Sequence, residues 1–259
     1  MTESVLITGA SSGIGLELAK CFAADKSNLV LIARNTVALE NLAAELRREY
    51  KIQVDVVTAD LARPELRQGI FDELKGRGII VDVLVNNAGF GLHGNFAELP
   101  LHRQMEMIQV NVTALVELTG LFLPGMIQRK RGGILNVGSV AGYFPGPGMS
   151  IYFSTKAFVR AFSDGLVEEL RGTGVTVTNL APGPTESNFS TIARGHFRRR
   201  VSSAKMSAAA VARSGHAGFR RGAAEVIPGA QNWLLSHVVA KFLPRAAIRR
   251  LVGEFNKLK

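Results

Sequence analysis

The sequence contains a single cysteine, Cys21, among 259 residues. One cysteine excludes an intramolecular disulfide framework and a cysteine-based zinc site, and it gives no sign of an oxidising compartment. No stretch approaches the ~18 uninterrupted apolar residues of a membrane-spanning helix. The first apolar run starts at residue 5 and is short, which leaves no room for a secretory signal peptide. We therefore expect a cytoplasmic protein without a membrane span.

Acidic residues are scarce in the last part of the chain. Residues 190–259 hold 2 of the 21 acidic residues but 14 of the 31 basic ones, so the net charge of +10 originates there. The composition, 47% hydrophobic and 20% charged, is otherwise that of a globular protein. A basic segment of this kind calls for an anionic partner or a structural reason.

Short apolar runs alternate with longer segments of helical periodicity. The pattern predicts strands at 4–8, 28–33, 52–58, 81–86, 133–140, 175–180 and 226–228. It predicts helices at 13–25, 36–50, 63–76 and 151–172, and a helical stretch in two pieces at 100–130. Strands that alternate with helices indicate right-handed crossovers and a parallel sheet covered on both faces. We predict one doubly wound, Rossmann-type α/β domain over 1–259, with about seven strands and its ligand at their carboxyl ends.

A glycine-rich turn follows the first predicted strand and opens the first helix. Glycines there permit a tight turn and let the backbone approach a pyrophosphate, which the free N–H groups of the helix then bind. The candidate contacts in this turn are Gly9, Ser11, Ser12, Gly13, Ile14 and Gly15. The turn therefore predicts a dinucleotide site.

Further motifs follow in order along the chain. They are Asn86-Asn87-Ala88-Gly89 after the fourth strand, Asn111 in the next helical region, Ser139 at the end of the fifth strand, Tyr152 and Lys156 on the next helix, and Pro182-Gly183 after the sixth strand. Together with the Gly-x-x-x-Gly-x-Gly spacing of the turn, they make residues 4–230 resemble the short-chain dehydrogenase/reductase family. The resemblance implies a nicotinamide cofactor and hydride transfer between a carbonyl and an alcohol.

The resemblance also implies roles for individual residues. Tyr152 would protonate the carbonyl oxygen, Ser139 would stabilise the developing alkoxide, and Lys156 would hold the nicotinamide ribose. Asn111 would position a water that passes protons towards Lys156. The implied cofactor contacts beyond the glycine-rich turn are Asn87, Ala88, Gly89, Tyr152, Lys156, Pro182, Gly183 and Thr185, and a homodimer or homotetramer is implied as the assembly.

The spacing of Tyr152 and Lys156 puts both side chains on one helix face. A phenol has a reference pKa of about 10, and a nearby ammonium or helix N-terminus favours its ionised form. From the sequence we therefore expect the Tyr152 pKa to lie closer to neutral pH than that.

The end of the second strand bears on the choice of cofactor. An NAD site usually has an acidic residue there, but this chain has Ala33 followed by Arg34. A guanidinium can bind a 2′-phosphate with two parallel hydrogen bonds, and the Ser12 hydroxyl could donate another to the same phosphate. We therefore predict NADP(H). Asp60 and Leu61 follow the third strand, where the family contacts adenine, although Asp60 is equally suited to cap a helix.

The predicted substrate side is largely apolar. It comprises a lid at 188–212, a loop at 141–151, and two residues after the fourth strand; the side chains concerned are Phe189, Ile192, Phe197, Arg198, Arg199, Arg200, Tyr143, Phe144, Pro145, Met149, Phe90 and Leu92. We expect a bulky hydrophobic carbonyl substrate. The three arginines suit an anionic group on that substrate and equally a solvated lid surface.

Residues 231–259 form a basic amphipathic extension of predicted helices on either side of Pro244. Three interpretations stay open: packing on the core or a subunit interface, contact with a membrane surface, and nucleic-acid binding, for which no recognised module is present. The chain as a whole is expected to be an NADP(H)-dependent oxidoreductase that needs no metal. Alternatives are an epimerase or dehydratase, a redox sensor, and a peripheral membrane protein of the same fold.

Overall fold

The computed structural model describes residues 2–186 and 205–256. The first half of the fold consists of β1 Ser4–Thr8, α1 Gly13–Ala24, β2 Asn28–Ala33, α2 Thr36–Tyr50, β3 Val54–Thr58, α3 Pro64–Gly76, β4 Val83–Asn86, α4 Leu101–Ile108, α5 Ala114–Arg129 and β5 Gly132–Val137. It continues with α6 Ser150–Glu169, β6 Val175–Leu180, β7 Thr185–Glu186, β8 Met206–Ser207, α7 Ala208–Arg220, β9 Glu225–Val226, α8 Ala230–Leu234, α9 Ala240–Phe242 and α10 Arg245–Phe255.

Seven parallel strands form the central sheet, in the order β3-β2-β1-β4-β5-β6-β9. The order reverses between β1 and β4, which opens a crevice at the carboxyl ends of these two strands. Alternate residues of each strand face opposite sides, so Ile7 packs against α1, α2 and α7 while Leu6 packs against α3, α5 and α6. The prediction of a doubly wound α/β sheet of seven strands is confirmed.

The helical stretch at 100–130, predicted in two pieces, is indeed two helices, and a π-helical turn, Gln109–Thr113, joins them. By length and composition alone, the run Leu101–Arg129 could cross a membrane. Its inner face, however, packs on the sheet through Leu118, Phe122 and Met126, as in the core helix of a globular protein. The extra residue of the π turn carries Asn111 inwards, where its side chain is 1% exposed.

Several predicted boundaries differ by a few residues in the structure, and two of the differences concern the predicted site. Strand β5 ends at Val137, so Ser139 lies just beyond it and begins a 3₁₀ turn, Val140–Tyr143. Residues 188–204 of the predicted lid lie outside the described residues, and 208–212 are the first turn of α7. Val211 and Ala212 are buried in the core there, because the apolar face of α7 packs on the sheet.

Candidate active site

The glycine-rich turn between β1 and α1 has a backbone that side chains would obstruct. Gly9 and Gly13 have φ values of +67° and +59°, which are left-handed conformations. A Cβ on Gly15 would lie 2.4 Å from the Gly9 carbonyl oxygen. Ser12 precedes α1 in extended conformation, and its hydroxyl forms no capping hydrogen bond with the helix. The first N–H groups of α1 therefore face the crevice, as a phosphate site requires.

Thr8 and Asn87 join the ends of β1 and β4. The Thr8 hydroxyl oxygen accepts hydrogen bonds from the amides of Asn87, at 2.9 Å, and Ala88, at 3.0 Å. The Asn87 side chain in turn donates to the Thr8 carbonyl at 2.8 Å. These bonds fix the crevice between the two strands. Sequence reasoning missed Thr8, although its position at the strand end directly before Gly9 could have indicated it.

The predicted adenosine side of the crevice follows β2 and β3. Arg34 is exposed directly after β2, and its guanidinium has no ion pair or hydrogen bond with the protein, as far as residues 2–186 and 205–256 are concerned. Asp60 accepts a hydrogen bond from the Ala62 amide at 3.0 Å in a turn before α3, whose N-cap is Arg63. The Leu61 carbonyl accepts from Arg67, so only its amide is left for a ligand.

Lys156 and Tyr152 occupy the same face of α6, as their spacing predicted. The Lys156 Nζ donates to the Val137 carbonyl at 2.7 Å and lies 5.9 Å from the centre of the Tyr152 ring. Burial lowers the pKa of Lys156 to about 8, because the ammonium loses its hydration. The lysine is therefore largely charged at neutral pH.

The Tyr152 hydroxyl is hydrogen-bonded to Ser139, and this bond lowers its pKa. Burial has the larger effect and raises the pKa of Tyr152 to about 12. The expectation of a pKa nearer neutral pH is therefore wrong, because desolvation outweighs the hydrogen bond with Ser139. Tyr152 is a protonated acid at neutral pH, the form that can donate a proton.

Ser139 is held by two further contacts. Its Oγ accepts from the Ala141 amide at 3.1 Å and donates to the Pro182 carbonyl at 3.4 Å. The Pro182 carbonyl also accepts from the Val140 amide at 3.0 Å. These contacts tie the turn after β5 to the segment after β6, so Ser139 and the predicted nicotinamide contacts at Pro182 and Gly183 are brought together.

Gly183 lies against the C-terminal part of the chain. A Cβ at this position would come within 2.4 Å of the Asn232 side chain on α8. Thr185 donates to the Gly183 carbonyl at 2.9 Å, which keeps the turn compact. The segment after β6 therefore depends on a helix that the sequence did not assign to the site.

Asn111 contacts both sides of the site through its side chain. Its amide exchanges hydrogen bonds with the Phe90 backbone at 2.9 and 3.0 Å and donates to Thr155 at 3.1 Å. A Cβ on Gly89 would lie 3.0 Å from the Asn111 Oδ1 and 3.7 Å from the Lys156 Nζ. The Asn111 side chain therefore connects the segment after β4 to α6; its predicted role in positioning a water stays a prediction.

Asn256, near the C-terminus, joins the predicted pocket loop at 141–151 to the segment after β4. Asn256 is 5% exposed; its side chain donates to the Pro147 carbonyl at 2.9 Å, and its own carbonyl oxygen lies 2.8 Å from the His93 ring nitrogen. Gly94 donates to the Gly148 carbonyl at 2.8 Å. No local sequence pattern indicates Asn256, because its partners lie more than a hundred residues away.

Other predicted pocket residues differ in their surroundings. Met149 and Leu92 are buried beside these loops, whereas the Tyr143 hydroxyl donates to Glu225 on β9. That glutamate also contacts His237 at 3.2 Å, which ties Tyr143 to the sheet edge. The predicted lid side chains Phe189, Ile192, Phe197, Arg198, Arg199 and Arg200 lie outside the described residues.

The chain is similar to known dehydrogenases and reductases in both sequence and structure. The family model "short chain dehydrogenase" matches residues 3–195. Sulfoacetaldehyde reductase 2 of Chromohalobacter salexigens is 39% identical over 197 residues, 75% of this chain and 77% of that protein. Very-long-chain 3-oxoacyl-CoA reductase of Anas platyrhynchos is 31% identical over 259 residues, which cover 97% of this chain and 79% of that protein. The solved structure of a short-chain dehydrogenase from Sphingobium yanoikuyae in complex with NADPH superposes with a TM-score of 0.81 at 34% sequence identity. The match covers 99% of this chain and 96% of that chain.

Proposed function

Because this chain belongs to the short-chain dehydrogenase family, we propose that it is an NADP(H)-dependent oxidoreductase that reduces the carbonyl group of a bulky hydrophobic substrate. The observation that carries the proposal is the arrangement of three side chains: Tyr152 is hydrogen-bonded to Ser139 and lies on the same helix face as the buried Lys156. A neutral phenol suits the reductive direction, in which the oxygen must gain a proton.

The residues present fit a nicotinamide dinucleotide. The turn at Gly9–Gly15 has no room for a side chain at Gly9 or Gly15 and presents the N-terminus of α1, as a pyrophosphate requires. When bound, the cofactor supplies the hydride. Tyr152 would donate its phenolic proton to the carbonyl oxygen, and Ser139 would donate a hydrogen bond to the same oxygen. The Lys156 ammonium would hold the ribose hydroxyls of the cofactor.

Arg34 supports the choice of NADP(H) over NAD(H). Its guanidinium is exposed and unpaired in the described part of the chain, and no acidic side chain stands at position 33. We expect Arg34→Ala to weaken NADPH binding roughly 10- to 100-fold, since a charge-assisted pair with the 2′-phosphate is lost. Titration of protein fluorescence with NADPH and NADH measures both affinities.

NADH lacks the 2′-phosphate, so its affinity should change less than about twofold in the same variant. Arg48→Ala removes a comparable exposed arginine from α2 and should leave both affinities unaltered. Equal losses for the two cofactors in Arg34→Ala would contradict the assignment of Arg34 to the phosphate.

The substrate class is tested by NADPH oxidation against ketones and aldehydes graded in chain length, ring number and acidity. Met149 and Leu92 are apolar and buried beside the pocket loops, so we expect kcat/KM to rise with apolar bulk. The two relatives differ in the size of the substrate in their names, which is why the series must include small anionic aldehydes. Tight NADPH binding without turnover of any carbonyl would favour the alternative, a redox sensor of the same fold.

Two further features belong to this proposal. We place the enzyme in the cytoplasm as a homodimer or homotetramer acting on a small-molecule substrate. Exposed apolar side chains on adjacent helices, Ile127 on α5 and Phe158 on α6, support an assembly, since subunit contacts cover such groups. Sedimentation velocity of the purified chain measures the subunit number.

A further inference from the structure

The C-terminal surface, defined here as the exposed side chains of Trp233–Phe255, concentrates apolar groups. Seven of the fourteen exposed large apolar side chains in the described residues lie within it. Phe242 is 78% exposed, the highest value among them, and Leu234 and Val238 precede it at four-residue spacing. The three side chains therefore form a stripe along the continuous helical segment made of α8, the π-helical turn Leu235–Val239 and α9.

The same surface is purely cationic over most of its length. No acidic residue occurs between Glu225 and Glu254. The four cations in this interval, Lys241, Arg245, Arg249 and Arg250, are all exposed. None has an ion pair or a hydrogen bond with its side chain, judged over the parts of the chain that the structure describes.

The inner side of α10 holds this surface to the core. Ile248 is 4% exposed, and Asn256 donates to the Pro147 carbonyl. The core therefore already uses one face of the extension, which confirms packing for that face. Phe242, Arg249 and Arg250 point away from it, so their exposure is not explained by the fold.

From these observations we propose that the C-terminal surface binds the anionic surface of a lipid bilayer. Apolar side chains enter the boundary between headgroups and acyl chains, while arginines and lysines beside them contact lipid phosphates and carboxylates. Trp233, half-exposed at the start of the segment, has the residue type enriched at such boundaries. The surface offers both kinds of contact and no acidic group that would repel the membrane before Glu254.

A second copy of the chain fits the surface less well. A twofold contact pairs the patch with the same patch of the copy, so its cations would meet a surface that has no acidic residue from 226–253 to neutralise them. Nucleic acid would pair with the cations but would leave Phe242 and Leu234 in water. A bilayer satisfies both the charge and the apolar stripe.

The test uses the full chain and sedimentation with vesicles of phosphatidylcholine alone or mixed with phosphatidylserine. We expect binding to the mixed vesicles that weakens as salt is raised, since exposed charges are screened. Arg249→Gln with Arg250→Gln should weaken this binding roughly 10- to 30-fold, at the usual contribution of a cation near an anionic membrane. Phe242→Ser should weaken it roughly tenfold or more.

Matched variants control for charge and for apolar area. Arg48→Gln with Lys75→Gln removes two exposed cations of α2 and α3 that have no ion pair within the described residues. Val37→Ser removes a 71% exposed apolar side chain from α2. Both should bind vesicles like the unaltered chain. NADPH oxidation without vesicles should stay the same in every variant, which separates this proposal from the proposed reaction.

Three results would overturn the proposal. They are the absence of binding to phosphatidylserine vesicles, equal losses in the control variants, and a change of subunit number in Phe242→Ser without any vesicle binding. The last result would identify the surface as a contact between copies of the chain. Retention of duplex DNA but not of vesicles would likewise replace the bilayer with a nucleic acid.

Discussion

Replacement of Tyr152 by phenylalanine should lower kcat/KM for carbonyl reduction about 10²- to 10⁴-fold, the usual contribution of a positioned general acid. The phenol is the proton donor of the proposed reaction, and burial keeps it protonated. Phenylalanine preserves the ring and removes only the hydroxyl. NADPH affinity and the unfolding transition should therefore change little. Steady-state NADPH oxidation, fluorescence titration and thermal unfolding measure the three quantities.

Tyr50→Phe is the matched control, because Tyr50 lies at the end of α2, away from the crevice. Its activity should equal that of the unaltered chain. If Tyr152→Phe retained more than about a tenth of the activity, Tyr152 would not be the acid, since even a weak general acid contributes about a hundredfold. Water would then have to deliver the proton.

The sequence predicted the sheet and the motif positions well for a physical reason. Buried parallel strands are continuous apolar runs, and the glycine-rich turn is dictated by backbone geometry at Gly9 and Gly13, so both signals are local. Tyr152 and Lys156 share a face through helical periodicity alone. Each of these features depends on neighbours in sequence rather than on distant contacts.

The features that the sequence did not predict depend on distant contacts. The π turn that carries Asn111 inwards is coupled to Phe90 and Thr155, which lie 21 and 44 residues away. Asn256 joins Pro147 and His93 from the end of the described chain. The Tyr152 pKa was misjudged for the same reason, because spacing shows a neighbouring charge but not the degree of burial.

Lys156→Met should lower kcat/KM roughly 10²- to 10³-fold and weaken cofactor binding, since the ammonium that lies beside the phenol and would hold the ribose is lost. Lys156 is 6% exposed, and methionine fills a similar volume. The pH profile separates this role from a structural one. In the unaltered protein kcat/KM should fall above about pH 8, where the buried ammonium loses its proton. The variant should show no such decline near pH 8.

The stability of the protein should change with pH in the opposite direction to kcat/KM, which gives an independent check on the pKa of Lys156. The pKa of Lys156 is about 8 in the folded protein, below its ordinary value of 10.5. Between these values the unfolded chain binds more protons, so the free energy of unfolding contributed by this group rises with pH. The rise amounts to about 3 kcal/mol at 1.36 kcal/mol per pKa unit. In Lys156→Met it should disappear, leaving the variant at least as stable as the parent at pH 7. Urea unfolding at neutral and alkaline pH measures it, and a variant that lost stability along with activity would show that Lys156 supports the fold rather than the chemistry.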